Sequence, residues 1–177
     1  MKHASALLGI ATFGFALLPS CTKQPYEPMV VSIQAPRREF LDGYLNWIHE
    51  HQKGDFDVVI PTPYIDLYDS SGRSVCYENH PERVLALLHL LLNPAASPVD
   101  VRPPKRPSLA EAMNMFSELK PYERRVPGRT RYTVFALSNP DQPDRAEASK
   151  QQDEAVAELK KHASDLKIRV IEVRIHR

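Results

Sequence analysis

Thiols are the most reactive side chains in this sequence, and it contains two of them, Cys21 and Cys76. They lie far apart, so the chain has no Cys-x-x-Cys pair of the kind that carries dithiol redox chemistry. Cys76 falls in Ser74-Val75-Cys76-Tyr77, a pattern typical of a strand, where a cysteine usually packs as a small apolar side chain. We therefore predict that Cys76 is buried and inert, with a reactive thiol as the alternative.

Two other groups of polar residues have the chemistry to bind a ligand. Asn139 and Asp141 follow a predicted strand and precede a predicted helix, the position where open α/β sheets bind ligands. Their loop has no glycine, which argues against a phosphate cradle. Arg124 and Arg125 belong to a cluster of arginines that could engage a phosphate or an acidic partner. These four residues are the candidate ligand-binding residues, and ordinary turn, cap and surface roles are the more economical interpretation of both groups.

The sequence shows no recognisable metal-ligating or catalytic arrangement. His49 and His51 are two positions apart, so on a helix they point to different sides, whereas a helical zinc site places its histidines four apart. We predict neither a metal ion nor a cofactor, assign no catalytic residue, and favour a protein that is not an enzyme. Asp66 belongs to an alternating strand pattern and is expected to face solvent, the alternative being a carboxylate in a cleft.

The first twenty residues have the pattern of a secretory signal, because Lys2 precedes an uncharged apolar run from Ala4 to Leu18. This run is shorter than the roughly 20 residues that a membrane-spanning helix needs. Leu18-Pro19-Ser20-Cys21 resembles the lipobox of bacterial lipoproteins, with a proline in place of the usual small residue. The resemblance implies cleavage before Cys21 and lipidation of its thiol; the alternative is ordinary signal cleavage that leaves a plain thiol there.

A lipobox implies a chain that is exported and anchored to a membrane by fatty acyl chains such as palmitate, with its domain facing the periplasm or the cell exterior. Two acyl chains are enough for stable anchoring. Residues 1–20 would form the signal peptide and residues 21–28 a polar tether. Loss of Lys2 from the 23 basic residues leaves 22 against 22 acidic ones, so the net charge gives no support for a nucleic-acid partner.

Residues 29–177 are expected to form a single α/β domain with a proline-rich linker at 93–107. The clearest element is a β-hairpin, because residues 64–68 and 73–77 alternate on either side of a turn that ends at Gly72. The capping-box spacing of Ser108 and Glu111 predicts a helix after the linker. The other predicted elements are a strand at 29–33, a helix at 36–54, an apolar helix at 84–92, and a βαβ unit with strand 132–138, helix 144–166 and strand 167–175.

Apolar spacing makes two predictions about packing. The packed face of the first helix is assigned to five residues: Phe40, Leu41, Tyr44, Leu45 and Ile48. In the last strand the apolar parity changes after Val170, which predicts either a bulge or burial on both faces.

These elements predict a mixed sheet of about five strands with about four helices. The proline-led hairpin and the helix after it resemble one half of a thioredoxin-like domain, and the βαβ unit resembles the other half. The order of the halves differs from that family, and Asn139-Pro140-Asp141 stands where its paired cysteines would be, so the resemblance implies a fold and no redox activity. We expect a cell-envelope lipoprotein with a non-catalytic binding or assembly role and an envelope protein partner; the alternative is an envelope thioredoxin-like thiol protein or an enzyme of unknown substrate.

Overall fold

The computed structural model describes residues 30–51, 63–79, 83, 93, 106–122 and 130–177. The predicted signal peptide, lipobox and tether, the apolar helix at 84–92, most of the proline-rich linker, and Arg124 and Arg125 lie outside the described residues. Among the residues that are described, no helix is both long enough and apolar enough to cross a membrane.

Five strands form one mixed sheet in the order β1-β5-β4-β2-β3. Strands β1, β5 and β4 are parallel neighbours, while β2 runs antiparallel to both β4 and β3. The α/β prediction is therefore confirmed, with the hairpin and the βαβ unit side by side in the sheet. The strands are β1 Val30–Pro36, β2 Tyr64–Asp69, β3 Ser74–Glu78, β4 Tyr132–Ser138 and β5 Ile168–His176; the helices are α1 Arg37–His51, α2 Leu109–Asn114 and α3 Ala146–Leu166, with 3-10 helices at Ser117–Tyr122 and Pro143–Arg145.

Helices cover both faces of the sheet. Successive side chains of a strand point to opposite faces, so each strand contributes residues to two packed layers. One face packs against α1 and α2 and includes Tyr64, Tyr68 and Phe135. The opposite face packs against α3 and includes Ile65 and Leu67. The two layers place every odd and even position of β2 under a helix or a connecting segment, which is why Tyr64 to Tyr68 are all buried.

The parity change in the last strand reflects burial on both faces. Strand β5 pairs without interruption with β1 on one side and β4 on the other. Ile168 and Val170 face α3, whereas Ile171 and Val173 face α1 and α2. Of the two predicted explanations, burial on both faces is confirmed and the bulge is wrong, because a parallel strand between two others is covered on each side.

The packed face of α1 differs from the one predicted. The helix buries Phe40, Tyr44 and Trp47, while Leu45 remains 44% exposed. The assignment of Leu45 to the core was wrong because two apolar stripes lie side by side on this helix, and spacing alone does not say which of them meets the sheet.

Helix α2 starts against the β2–β3 turn, and its predicted capping box is confirmed. The backbone N–H of Glu111 donates to Ser108 Oγ over 3.3 Å, and the backbone N–H of Ser108 donates to Glu111 Oε2 over 2.6 Å. The next N–H, of Leu109, donates to the carbonyl oxygen of Gly72 over 2.8 Å. Gly72 has φ +78°, a value that glycine adopts without strain. The turn therefore fixes where the segment before α2 meets the hairpin.

Helix α1 and the chain after α2 approach closely at Gly43. A β-carbon built at Gly43 would lie 2.9 Å from Met115 Cβ, so a glycine is needed there. The backbone N–H of Ser117 donates to Glu39 Oε1 over 2.6 Å at one end, and His51 Nε2 lies 3.1 Å from Glu111 Oε1 at the other. These contacts hold α1 antiparallel to α2, with the end of α1 beside the first turn of α2 and the start of α1 beside the segment that follows α2.

Candidate functional site

The loop that contains the candidate residues Asn139 and Asp141 is tied to the end of β5. Asn139 is buried, and its carbonyl oxygen accepts the backbone N–H of Gln142. Asp141 is exposed, and its Oδ2 accepts the backbone N–H of Arg177 over 3.2 Å, while its carbonyl oxygen accepts Arg177 Nη2 over 3.4 Å. The structure thus places Asn139 and Asp141 together in one loop where β4 ends, and both are engaged in contacts within the chain.

The prediction that Asp66 faces solvent was wrong. Its exposed fraction is 1%, because β2 turns Tyr64, Asp66 and Tyr68 toward the face covered by α1 and α2. A carboxylate in such a place must be hydrogen-bonded or paired to be tolerated. The carboxylate is enclosed within the fold, which differs both from the predicted surface position and from the alternative, a carboxylate in a cleft.

Three side chains donate hydrogen bonds to Asp66. Ser74 Oγ, from the neighbouring strand β3, donates to Oδ1 over 2.5 Å. Arg106 Nε donates to Oδ2 over 3.3 Å, and Tyr68 OH donates to the same oxygen over 3.3 Å. Asp66 is therefore the centre of a polar group built from two strands and the segment that enters α2.

Arg106 lies between tyrosine rings. Its side chain is only 8% exposed, and its Cζ atom lies 3.8 Å from the ring centroid of Tyr77 and 5.1 Å from that of Tyr64. Its Nη1 donates to the hydroxyl oxygen of Tyr44 on α1 over 3.5 Å. We call Tyr44, Tyr64, Asp66 and Tyr77 the arginine box, since together they surround the guanidinium group with aromatic rings, a phenol and a carboxylate.

Burial dominates the electrostatics of the arginine box. It raises the pKa of Asp66, although Arg106 and the three hydrogen bonds act in the opposite direction. It raises the pKa of Tyr77 to about 12 and that of Tyr64 higher still, with Arg106 again opposing. The phenols are therefore neutral at physiological pH and offer their ring faces to the cation. A guanidinium beside one carboxylate and two neutral rings is the arrangement that proteins use to hold a cation.

A second ionic network joins α3 to the parallel half of the sheet. Glu172 on β5 pairs with Lys160 through Oε2 and with Arg174 through Oε1, the latter at 3.2 Å. Arg174 Nη2 also lies 3.1 Å from Asp153, and Lys160 donates to Ser32 Oγ over 3.0 Å. Burial raises the pKa of Glu172, but the hydrogen bonds from Lys160 and Ser32 outweigh it and leave the pKa lowered. This network keeps Glu172 charged and holds β1, β5 and α3 together.

Cys76 is half-buried, so the prediction of a fully buried thiol was wrong. The reason is its position on β3, which lies at the end of the sheet and pairs with β2 alone among the strands of the described chain. Burial raises the pKa of the thiol, and the negative charges of Glu78 and Asp66 raise it further. The thiolate fraction at neutral pH is therefore small, which makes this a poor nucleophile.

The two histidines weighed as metal ligands, His49 and His51, lie in different surroundings. His49 is exposed, and His51 Nδ1 lies 2.9 Å from the carbonyl oxygen of Trp47, so the two histidines do not converge. Across the part of the chain that the structure describes, no group of three or more His, Cys, Asp and Glu side chains could hold a metal ion. Arg124 and Arg125 fall in the range 123–129, outside that part.

Arg106 is not among the site residues predicted from the sequence, where it falls within the proline-rich linker at 93–107. Two signals were available: the tyrosines at positions 64 and 68 share the parity of Asp66, and Arg106 stands just before Pro107 and the capping box. Neither signal says that the two segments meet, because forty residues separate them in the chain.

Comparison of the chain with models of protein families, with curated proteins and with solved structures finds no match.

Proposed function

We propose that the protein is a lipid-anchored lipoprotein of the bacterial cell envelope, and that its domain has a non-catalytic binding or assembly role. The observation that carries the location is the sequence Leu18-Pro19-Ser20-Cys21 at the end of an uncharged apolar run. Acylation of Cys21 would hold the domain at the membrane surface, with residues 22–28 as a short spacer. The equal numbers of acidic and basic residues in the mature chain suit a protein partner better than a polyanion.

Two buried carboxylates, Asp66 and Glu172, are paired within the fold, which fits a non-catalytic role for them. Asp66 receives three hydrogen bonds from within the fold, and Glu172 is paired with two cations. Carboxylates held in this way stabilise one arrangement of strands and helices, whereas a proton-transfer residue needs access to a substrate. These groups contribute a rigid scaffold, and binding then falls to the exposed surface and loops.

Membrane fractionation of the full chain tests the location. We expect Cys21→Ser to move the protein from the membrane fraction to the soluble fraction, because the acceptor thiol for lipid is lost. Cys76→Ser is the matched control, since it removes the other thiol and leaves the lipobox intact. Retention of the Cys21→Ser protein in membranes would contradict the lipoprotein proposal.

A pull-down from solubilised envelopes tests the binding role. The tagged full chain should recover the same envelope protein in repeated experiments, with and without mild crosslinking. The Cys21→Ser protein, added to the same extract, separates a partner bound by the domain from material that only co-purifies with lipid. Failure to recover a reproducible partner under both conditions would count against the binding role and leave the location unaffected.

A thioredoxin-like thiol protein is the second candidate, and the half-buried state of Cys76 favours it. The adjacency of hairpin β2–β3 and the βαβ unit in one sheet is compatible with a thioredoxin-like arrangement. Against this activity, the raised pKa of the thiol predicts slow reaction at neutral pH. Rapid alkylation of Cys76 at pH 7, at the rate of a free thiol, would favour the second candidate over the first.

A further inference from the structure

The arginine box has the geometry of a recognition site for a planar cation. Its walls come from three separate elements: Tyr44 from α1, Tyr64 and Asp66 from β2, and Tyr77 from β3. Each wall contacts a different part of one guanidinium group: the carboxylate of Asp66 accepts from Nε, the phenol of Tyr44 accepts from Nη1, and the ring of Tyr77 lies against the face. The group is thus bound along two edges and on one face.

These contacts favour guanidinium over an ammonium group. The 3.8 Å between Cζ and the Tyr77 ring centroid is a stacking distance for a planar group. The two donors used, Nε and Nη1, point to acceptors on different elements, β2 and α1. A single ammonium nitrogen has no flat face and concentrates its donors at one point, so it cannot reproduce both the stacking and the two separated hydrogen bonds.

Arg106, the residue that fills the arginine box, belongs to an extended segment of the chain. Arg106 precedes Pro107, which restricts its backbone to extended conformations, and Ser108 is itself extended with φ −64° and ψ 164°. The segment is then fixed by the capping box and by the hydrogen bond from Leu109 to Gly72. Arg106 is therefore presented to the box at the point where the proline-rich linker ends and α2 begins.

The geometry points to a guanidinium-recognition site at Tyr44, Tyr64, Asp66 and Tyr77, in which Arg106 of the same chain is the resident ligand. Arg106 thereby fixes the end of the proline-rich linker to the hairpin and to α1. The ligand class is a guanidinium cation, supplied here by an arginine side chain. The site depends neither on the lipid anchor nor on an envelope partner.

Chemical rescue tests the site. In the full-length Arg106→Ala protein the box loses its cation, and methylguanidinium should restore it. At a concentration ten times its dissociation constant, methylguanidinium should raise the ratio of folded to unfolded molecules about elevenfold, measured by thermal or urea unfolding. Methylammonium at the same concentration carries the same charge without the planar group and should give a smaller effect. An equal response to both cations, or an equal response of the unaltered protein, would overturn the proposal.

Two further variants assign the effect to the box. Tyr77→Leu in the Arg106→Ala background removes the ring closest to the cation and should abolish the methylguanidinium response. Tyr132→Leu is the matched control, because its ring also lies 5.3 Å from an arginine Cζ, that of Arg131, but outside the box. Rescue that survives Tyr77→Leu, or that is lost with Tyr132→Leu, would contradict the assigned site.

A measurement on the unaltered chain covers the case in which Arg106→Ala does not fold. In ¹⁵N NMR spectra, the Nε–H of Arg106 should exchange with solvent more slowly than that of Arg38, whose side chain is 91% exposed. The signal is identified by its loss in Arg106→Lys. Exchange of the Arg106 Nε–H as fast as that of Arg38 would refute the claim that the box holds this guanidinium group.

Discussion

Replacement of Arg106 by Met should make the stability of the domain depend more strongly on pH. Methionine keeps an apolar stem of similar length between Tyr64 and Tyr77 but removes the guanidinium group that faces Asp66. Asp66 then keeps two hydrogen-bond donors, Ser74 and Tyr68, and loses its counter-ion. Removal of one partner from a buried ion pair costs about 3–5 kcal/mol, because the other charge remains buried without compensation.

The sign of the pH dependence follows from the pKa of Asp66. Burial already raises this pKa above its ordinary value of 3.8, and Arg106 is the strongest influence that lowers it. Without Arg106 the pKa in the folded state rises further. Below pH 3.8 the carboxyl group is neutral in both states, and the variant escapes the penalty of a buried charge. As the pH rises toward the folded-state pKa, the unfolded chain loses its proton first, so stability falls by up to about 1.36 kcal/mol per pH unit.

Urea unfolding of both proteins at a series of pH values between 4 and 8 measures this effect. The difference in unfolding free energy between the unaltered protein and Arg106→Met should be smallest near pH 4 and should grow as the pH rises. The double variant Arg106→Met with Asp66→Asn, compared with Asp66→Asn alone, removes the titrating group from both proteins and should show a difference in unfolding free energy that no longer changes with pH. A constant loss across the whole series, or a slope that persists in the double variant, would refute the assignment to Asp66.

Three other predictions concern separate parts of the domain. Gly43→Ala should lower the free energy of unfolding by about 1–3 kcal/mol, because its methyl group would meet the Met115 side chain at 2.9 Å; urea unfolding measures this, and an unchanged midpoint would show that α1 can shift. Ser108→Ala should cost about 1 kcal/mol through loss of the capping acceptor at the start of α2, whereas Ser108→Asp should retain most of the stability, so equal losses in the two variants would speak against the cap. Cys76 should react with iodoacetamide slowly at pH 7 and faster as the pH rises beyond 9, because its pKa is raised from 9.0; a rate at pH 7 equal to that of the urea-unfolded chain would contradict this.

Much of the fold could be predicted because it depends on local chemistry. Alternating residues and a turn that ends at Gly72 gave the hairpin, and the predicted strand at 132–138 has the bounds that the structure shows. The capping box at Ser108 is formed by residues three positions apart, so its two hydrogen bonds follow from the sequence once the helix forms.

Errors arose where local spacing leaves a choice between two sides. On α1, the stripe with Leu45 and the stripe with Trp47 are both apolar, and the sheet selects the second. On β3, the alternating pattern around Cys76 gave no sign that the strand would lie at the end of the sheet, where burial is only partial. The position of a strand within the sheet is set by pairing with distant strands, which spacing within one segment does not encode.

The sequence by itself determined that Tyr64, Asp66 and Tyr68 share one face of a strand, because side chains in a strand alternate with a period of two. It also determined that Arg106 stands near the end of the proline-rich linker, just before a capped helix. Only the tertiary structure decided that these two segments meet, that α1 closes over them, and that Asp66 is a buried partner of Arg106 rather than a surface carboxylate. The physical reason is that the contact joins residues forty positions apart and depends on which face of the sheet α1 and α2 cover.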